Sequence, residues 1–257
     1  MWSDGSLTKS DRDLLQQKVE NIHIITKQKL DSSIKKISDK YPNLEMFAKT
    51  NFARGRKYGL KLFIPYLNPF SSQRLLFLDS DYIFYKTSTD VTDFLNGNSD
   101  VEFIYNVEWF DPKEDIYQKG DFPWRIQDGQ YIALYDEEEL MNISKILNVM
   151  PQYATELNSG LLGFTCSKLD IDFLNKFLGA LYTLGYNDKS PRFDLMEQAL
   201  FSFIVAMSGT HSGLSKQEYI CTSRERGYDP SYVARHFLGK SKFSEDYLLA
   251  LKIIYNV

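Results

Sequence analysis

The sequence has few cysteines, little net charge and no long apolar run, so it lacks the marks of disulfide-rich, nucleic-acid-binding and membrane proteins. It has two cysteines, Cys166 and Cys221, among 257 residues, so no disulfide framework is implied and a reducing compartment is expected. The formal net charge of −4 indicates neither a nucleic-acid partner nor a polybasic membrane anchor. The most apolar run, ALFSFIVAM at 199–207, is too short to span a bilayer. Because the start at 1–13 is polar and unlike a signal peptide, a cytoplasmic protein without a transmembrane segment is expected.

What the sequence does contain is a globular composition, with 43% hydrophobic and 25% charged residues. Short apolar strands alternate with helices, which is typical of an α/β fold with a mostly parallel central sheet flanked by helices. Strands are predicted at 23–26, 74–79, 101–106, 157–165 and 219–223. Helices are predicted from Thr8 onward and at 28–39, 54–67, 136–148, 170–183, 194–207 and 243–254, and 110–130 is expected to be a loop. Since repeats and a clear linker are lacking, one domain is expected over residues 1–257.

One segment, RLLFLDSDYIFY at 74–85, places two carboxylates inside an apolar run. Burying an ionised group costs several kcal/mol or more unless something compensates its charge. Asp79 and Asp81 follow the most apolar predicted strand, and ligands of α/β proteins bind beyond the carboxyl ends of strands. The pair therefore either lies in solvent at the end of the strand or binds a hard divalent cation that leaves positions open for phosphate oxygens.

Three further segments accompany the aspartates in the order found in one enzyme family. They are Asn158-Ser159-Gly160, the pair Glu197-Gln198 and the spacing His236-x-x-Gly239-x-x-Lys242. Together with LLFLDSD, whose D-x-D resembles the signature of GT-A glycosyltransferases, they resemble glycosyltransferase family 8. The family has an Asn-small-Gly turn, an Asp-Gln pair and an H-x-x-G-x-x-K motif at these places. It closes the last motif with Pro-Trp, whereas Phe243 follows Lys242 here.

The resemblance implies a metal site. Asp79, Asp81 and His236 would bind Mn²⁺ or Mg²⁺ together with the two phosphates of a nucleotide sugar. The imidazole would favour Mn²⁺, which is softer than Mg²⁺. Gly239 would let the backbone approach the diphosphate, and Lys242 would neutralise it.

It also implies residues that bind the donor. Asn158 and Glu197 would hydrogen-bond sugar hydroxyls, and Gln198 would lie near the anomeric carbon, so these three are the candidate catalytic residues. Ser159 and Gly160 complete the turn and are expected to bind substrate. A basic residue that precedes the metal strand contacts the diphosphate in the family, and Lys57 or Lys61 is expected to do so here.

Each of these residues also has an ordinary structural explanation. His236 can be a hydrogen-bonded core histidine, and Lys242, Lys57 and Lys61 can be solvated surface charges. Asn158 can make an Asx-turn, and Glu197 can interact with a helix dipole.

The implied activity is a metal-dependent, retaining transfer of a hexose from a UDP-sugar to an acceptor hydroxyl. The acceptor would be a carbohydrate, a lipid-linked sugar or a protein. GT-A domains open with a βαβ unit that holds the nucleotide base, and WSDGSLT at 2–8 resembles the end of that unit's second strand. A GT-A domain without its first βαβ unit is therefore expected, and the apolar surface left uncovered would favour a homodimer.

Two other functions stay open. The apolar strand followed by D-x-D also resembles phosphohydrolases of the haloacid dehalogenase type, in which Asp79 would be the nucleophile and Asp81 the acid/base. That class needs a later acidic pair at a strand end, which the downstream sequence does not offer convincingly. The third function is a non-catalytic glycosyltransferase remnant.

Overall fold

The computed structural model describes residues 8–18, 20, 23–49, 63, 66, 73–107, 124–127, 130–133, 137–149, 154, 157–186, 196–222, 227–237 and 244–255. The helices are α1 Lys9–Lys18, α2 Lys27–Ser38, α3 Pro42–Lys49, α4 Thr89–Asn96, α5 Glu137–Leu147, α6 Ile171–Thr183, α7 Met196–Ser208 and α8 Glu245–Tyr255. The strands are β1 Arg74–Leu78, β2 Tyr82–Phe84, β3 Phe103–Val107, β4 Trp124–Gln127, β5 Gln130–Ala133, β6 Leu157–Thr165, β7 His211–Gly213, β8 Tyr219–Thr222 and β9 Ala234–Phe237.

The larger sheet has the strand order β1-β6-β3-β7. Its central strand, β6, is antiparallel to both β1 and β3, and β7 is parallel to β3. Three of the four strands therefore run in one direction, with β6 inserted against them. The expected α/β class is confirmed, and the predicted strand at 157–165 coincides with β6.

Helices pack on one face of this sheet. Their apolar residues recur at helical spacing, so each helix has an apolar side that can be buried there. In α6, Leu174, Phe177, Leu178 and Leu181 are buried, which is the i, i+3, i+4, i+7 pattern of a core-facing helix. Asp170 caps the N-terminus of this helix, because its carboxylate accepts a hydrogen bond from the backbone N–H of Phe173 at 2.8 Å. The core formed here also includes side chains of α2, α3, α7, β3 and β6.

A second sheet, with the order β2-β9-β8, lies beyond the end of β1. Strand β9 is antiparallel to β2 and parallel to β8. Tyr82, Tyr219 and Ala234 of this sheet pack with Phe94 of α4 and with Ile104 and Leu161 of the larger sheet in a separate core. The two sheets thus meet on the face of the larger sheet opposite α6.

An irregularity interrupts the pairing of β3 with β6 beside the end of β1. Tyr105 pairs with Leu162, but the next residue, Asn106, pairs with Asn158. Strand β6 therefore has three additional residues, 159–161, relative to β3, while its pairing with β1 stays regular through Leu161. Bulges of this kind redirect side chains and are common next to active sites.

Two predicted segments differ from the structure. The predicted loop at 110–130 is wrong for residues 124–127, which form β4, and for residue 130, which begins β5. The predicted strand at 23–26 is reduced to a single β-bridge at Ile25. Apart from Phe63 and Tyr66, the predicted helix at 54–67 lies outside the described residues. No helix in the described ranges has both the length and the apolar character needed to cross a membrane.

Candidate metal centre

The two aspartates lie in the tight turn that joins the sheets. The backbone N–H of Asp79 donates to Gly160 O at 2.8 Å, so this residue extends the β1–β6 pairing by one step. The N–H of Tyr82 donates to Asp79 O at 3.1 Å and closes a four-residue turn. The carbonyl of Asp81 accepts from the N–H of Phe237 at 3.1 Å, which connects the turn to β9. The backbone that carries both carboxylates is therefore fixed by hydrogen bonds to β6 on one side and to β9 on the other.

His236 completes the cluster from β9. It pairs with Tyr82 across β2 and β9, so its position relative to Asp81 is set by strand register. Its Nε2 lies 3.2 Å from Asp81 Oδ1 and 3.7 Å from Asp79 Oδ2. One ligand atom from each of the three residues lies within 4.8 Å of the others. The structure thus brings together all three residues that the sequence predicted as metal ligands.

This cluster fits a divalent cation. Oxygen and imidazole ligands lie about 2.0–2.2 Å from ions such as Mg²⁺ or Zn²⁺, so ligands in adjacent positions are roughly 3 Å apart. The 3.2 Å separation matches that spacing. The side chains of His236 and Asp81 are only 3% and 11% exposed, whereas Asp79 is 24% exposed. The three donors therefore enclose a cation position from the protein side, with the more open side at Asp79.

The bulged segment of β6 forms the wall behind His236. A Cβ atom on Gly160 would lie 2.1 Å from His236 Cε1 and 2.3 Å from Nδ1, so only glycine lets the imidazole lie against this backbone. The side-chain oxygen of Asn158 accepts a hydrogen bond from the N–H of Gly160 at 2.9 Å. The same oxygen lies 2.9 Å from Nδ1 of His236. Asn158 and Gly160, which the sequence predicted as donor-binding residues, both contact a metal-ligand candidate.

Gln198 reaches the same segment from α7. Its Oε1 accepts from the backbone N–H of Ser159 at 3.2 Å and lies 3.5 Å from the Ser159 hydroxyl. Because a backbone N–H can only donate, the contacting atom is the amide oxygen, and the orientation of the amide is fixed. The glutamine is buried. Residues 158, 159 and 198, predicted from two separate motifs, are therefore neighbours at the metal cluster.

The remaining predicted residues cannot be placed in this way. Lys57, Lys61, Gly239 and Lys242 lie outside the described residues. Glu197 is the second residue of α7, and its side chain is outside the described part. Their roles stay predictions.

Three residues near the cluster were missed by the sequence analysis. Cys221 pairs with His236 across β8 and β9, and its Sγ lies 3.7 Å from Nδ1. The hydroxyl of Tyr82 donates to Oδ1 of Asn106 at 3.3 Å, and burial raises the pKa of this phenol well above its usual value, so the group is a neutral donor. Asn106 is fully buried and stands opposite Asn158. The only sequence signal for Asn106 was a polar residue at the end of the predicted strand at 101–106.

No family model matches the chain, and no curated protein matches its sequence. Among solved structures, the chain is similar to an active-site mutant of LgtC in which a glutamine is replaced by glutamate. The TM-score is 0.51 at 13% identity, over 97% of this chain and 82% of LgtC. It is also similar to the apo form of mouse xyloside xylosyltransferase 1, with a TM-score of 0.48 at 12% identity, over 91% of this chain and 82% of the other. The likeness to LgtC shows a shared fold and confirms the expected GT-A architecture.

Proposed function

We propose that this chain is a metal-dependent glycosyltransferase that moves a hexose from a UDP-sugar to an acceptor hydroxyl with retention of configuration. The observation that carries the proposal is the convergence of Asp79, Asp81 and His236 within 4.8 Å at the end of β1, in a chain with the GT-A fold. The acceptor is a carbohydrate, a lipid-linked sugar or a protein.

Mn²⁺ or Mg²⁺ would be held by Asp79, Asp81 and His236. A divalent cation supplies positive charge where the leaving diphosphate gains negative charge, which lowers the barrier more than it strengthens ground-state binding. The imidazole among the donors favours Mn²⁺. The donor set itself supports a cation, because two carboxylates and an imidazole nitrogen face one another at low exposure.

The chain's own residues would bind and orient the donor. We assign the sugar hydroxyls to Asn158 and Glu197, and the region of the anomeric carbon to Gln198. The glutamine that is replaced in the LgtC mutant is an active-site residue, which supports an active-site role for a glutamine of this chain. Asn158 Oδ1 already accepts from Gly160 and contacts His236, so its contact with a hydroxyl would be made by Nδ2.

We assign binding of the diphosphate to Lys242, Gly239 and a basic residue at Lys57 or Lys61. In the reaction, the bond between the anomeric carbon and the phosphate oxygen breaks, and a bond to the acceptor oxygen forms on the same face of the sugar. The acceptor's proton passes to the departing phosphate oxygen, so no protein base is required. Ser159 and Gly160 would form the wall of the donor site.

Calorimetric titration of UDP with and without Mn²⁺ tests the proposal. We expect UDP to bind only when Mn²⁺ is present, and we expect Asp81→Asn to reduce that binding by at least tenfold because a charged ligand is lost. Asp13→Asn is the matched control, since Asp13 is exposed on α1 and is not one of the three clustered residues. Metal-independent UDP binding, or full binding by Asp81→Asn, would contradict the metal role.

Two measurements on the same purified protein distinguish the two alternative functions. Turnover of an aryl phosphate would indicate a phosphohydrolase, and the absence of both UDP binding and turnover would indicate a non-catalytic remnant. The cytoplasmic location, the homodimer and the missing first βαβ unit stay predictions.

A further inference from the structure

We infer that Asn158 is a positioning residue that accepts a hydrogen bond from Nδ1–H of His236 and so directs Nε2 of the ring toward Asp79 and Asp81. This gives Asn158 a task in addition to contact with substrate. Its consequence for metal affinity rests on the proposed function, whereas the position of the proton does not.

The identity of the contacting atom follows from Gly160. The N–H of Gly160 is 2.9 Å from one side-chain atom of Asn158, and a backbone N–H can only donate a hydrogen bond. That atom must therefore be the carbonyl oxygen. The same oxygen lies 2.9 Å from His236 Nδ1. Because the oxygen carries no proton, the proton of this second hydrogen bond must come from Nδ1.

The other ring nitrogen is then determined. With Nδ1 donating to Asn158, Nε2 is the ring nitrogen left to coordinate a cation, in the deprotonated form that metal binding requires. Nε2 faces Asp81 Oδ1 at 3.2 Å and Asp79 Oδ2 at 3.7 Å. Three electron-pair donors that face one another are stabilised by a cation between them. The alternative tautomer would let Nε2–H donate to Asp81 and occupy the cation's position, but it would place the Nδ1 lone pair against the Asn158 oxygen.

The imidazole of His236 has little room to rotate or move away from Asn158. It is 3% exposed and lies against Gly160, where even a Cβ atom would approach within 2.1 Å. Among the described residues, the other hydrogen-bonding neighbour of Nδ1 is Cys221 Sγ at 3.7 Å, and sulfur is a weak acceptor. Asn158 is therefore the strong acceptor on the Nδ1 side of the ring, as hydrogen-bonded partners are for metal-binding histidines in general.

Nitrogen NMR measures the proton's position directly. The chain has only His23, His211 and His236, so ¹⁵N-histidine labelling gives three ring patterns, and His236→Gln assigns the one of interest. In metal-free wild-type protein we expect Nδ1 to carry a proton, because the Asn158 oxygen that it contacts can only accept a hydrogen bond. A wild-type Nδ1 without a proton would overturn the inference, without use of any Asn158 variant.

Two substitutions of Asn158 test its role. Asn158→Asp keeps an acceptor oxygen and should preserve the wild-type ring pattern. Asn158→Leu removes the acceptor at similar size and should shift the ring toward the Nε2–H tautomer. Mn²⁺ titration without nucleotide should show a loss of about 10–100-fold in affinity for Asn158→Leu, the usual effect of losing such a partner, and at least wild-type affinity for Asn158→Asp. Asn96→Leu, at an exposed position in α4, is the control.

The outcomes separate this inference from the proposed function. An unchanged tautomer and metal affinity in Asn158→Leu would overturn the positioning role, even if UDP binding by wild type still depends on Mn²⁺. A shifted tautomer with weakened Mn²⁺ binding would support the role, even if UDP does not bind. A merely structural role for Asn158 would lower the melting temperature and leave the ring pattern unchanged.

Discussion

At the scale of single residues, position 160 requires glycine because of a neighbouring side chain and not because of its own backbone conformation. It is not among the glycines with positive φ, which in the described residues are Gly97, Gly185 and Gly227. Its requirement is steric, because a methyl group would overlap the imidazole of His236 at 2.1–2.3 Å. The absence of a side chain at 160 thus determines where a metal-ligand candidate can lie.

Gly160→Ala should therefore displace His236 from Asp81. We expect a loss of about 1–3 kcal/mol in unfolding free energy, typical of overpacking, and a loss of at least tenfold in Mn²⁺ affinity measured by titration. Gly97→Ala is the matched control. Its φ of +80° and open surroundings predict a cost of about 1–2 kcal/mol without a change in metal affinity. Wild-type Mn²⁺ affinity in Gly160→Ala would show that the imidazole does not bind the ion.

The ligand residues could be predicted from the sequence, but the contacts around them could not. Asp79 and Asp81 stand out as charges in an apolar run, and His236 could be added because its motif resembles a family. Asn158 meets His236 only because three additional residues bulge β6 between its two neighbouring strands. That register shift depends on partners more than 50 residues away in the chain, so no local pattern reports it.

At the scale of elements, a buried ion pair holds β9 against α8. Arg235, next to His236, has no exposed side-chain surface, and its Nη1 lies 3.0 Å from Asp246 Oδ2. The same Nη1 donates to Gly227 O at 3.2 Å, and the guanidinium lies 4.5 Å from the centre of the Phe237 ring. A buried guanidinium is costly without a counter-charge, and Asp246 of α8 supplies one to Arg235 of β9.

Asp246→Ala should destabilise the protein by about 3–5 kcal/mol, the usual cost of leaving a buried charge without its partner. Urea unfolding followed by circular dichroism measures this change. The matched control is Asp31→Ala, which removes a pair with Lys27 that is about half exposed and should cost about 0.5 kcal/mol or less. Equal costs for the two variants would show that Arg235 is solvated when the protein is folded.

This ion pair also explains why β9 was not predicted from the sequence. Strand β9 is only four residues long, Ala-Arg-His-Phe, and two of them are polar residues that are almost fully buried. The backbone of β9 forms hydrogen bonds with β2 and β8, and the charge of Arg235 is offset by Asp246 of α8. By contrast, eight of the nine residues of β6 are buried, and the apolar residues Leu161, Leu162 and Phe164 indicate a strand in the sequence itself.

At the scale of the whole molecule, the candidate metal centre joins parts of the chain that fold as separate sheets. Asp79 follows β1 of the larger sheet, and His236 belongs to β9 of the smaller one. These residues are more than 150 positions apart in the chain. An ion bound by both would therefore bind the folded chain and not the unfolded one, and by mass action it would raise the stability of the fold.

Thermal unfolding should show this coupling. A ligand at about 100 times its dissociation constant adds about 2.7 kcal/mol, and each kcal/mol shifts the melting temperature by about 2–4 °C for chains of roughly 150–250 residues. We therefore expect saturating Mn²⁺ to raise the melting temperature by about 5–10 °C and EDTA to reverse the rise. Asp81→Asn and His236→Ala should lose most of it, whereas Asp13→Asn should keep it. If Asp81→Asn shows the full rise, the ion stabilises the chain at another place, because removing a ligand cannot leave the affinity of its own site unchanged.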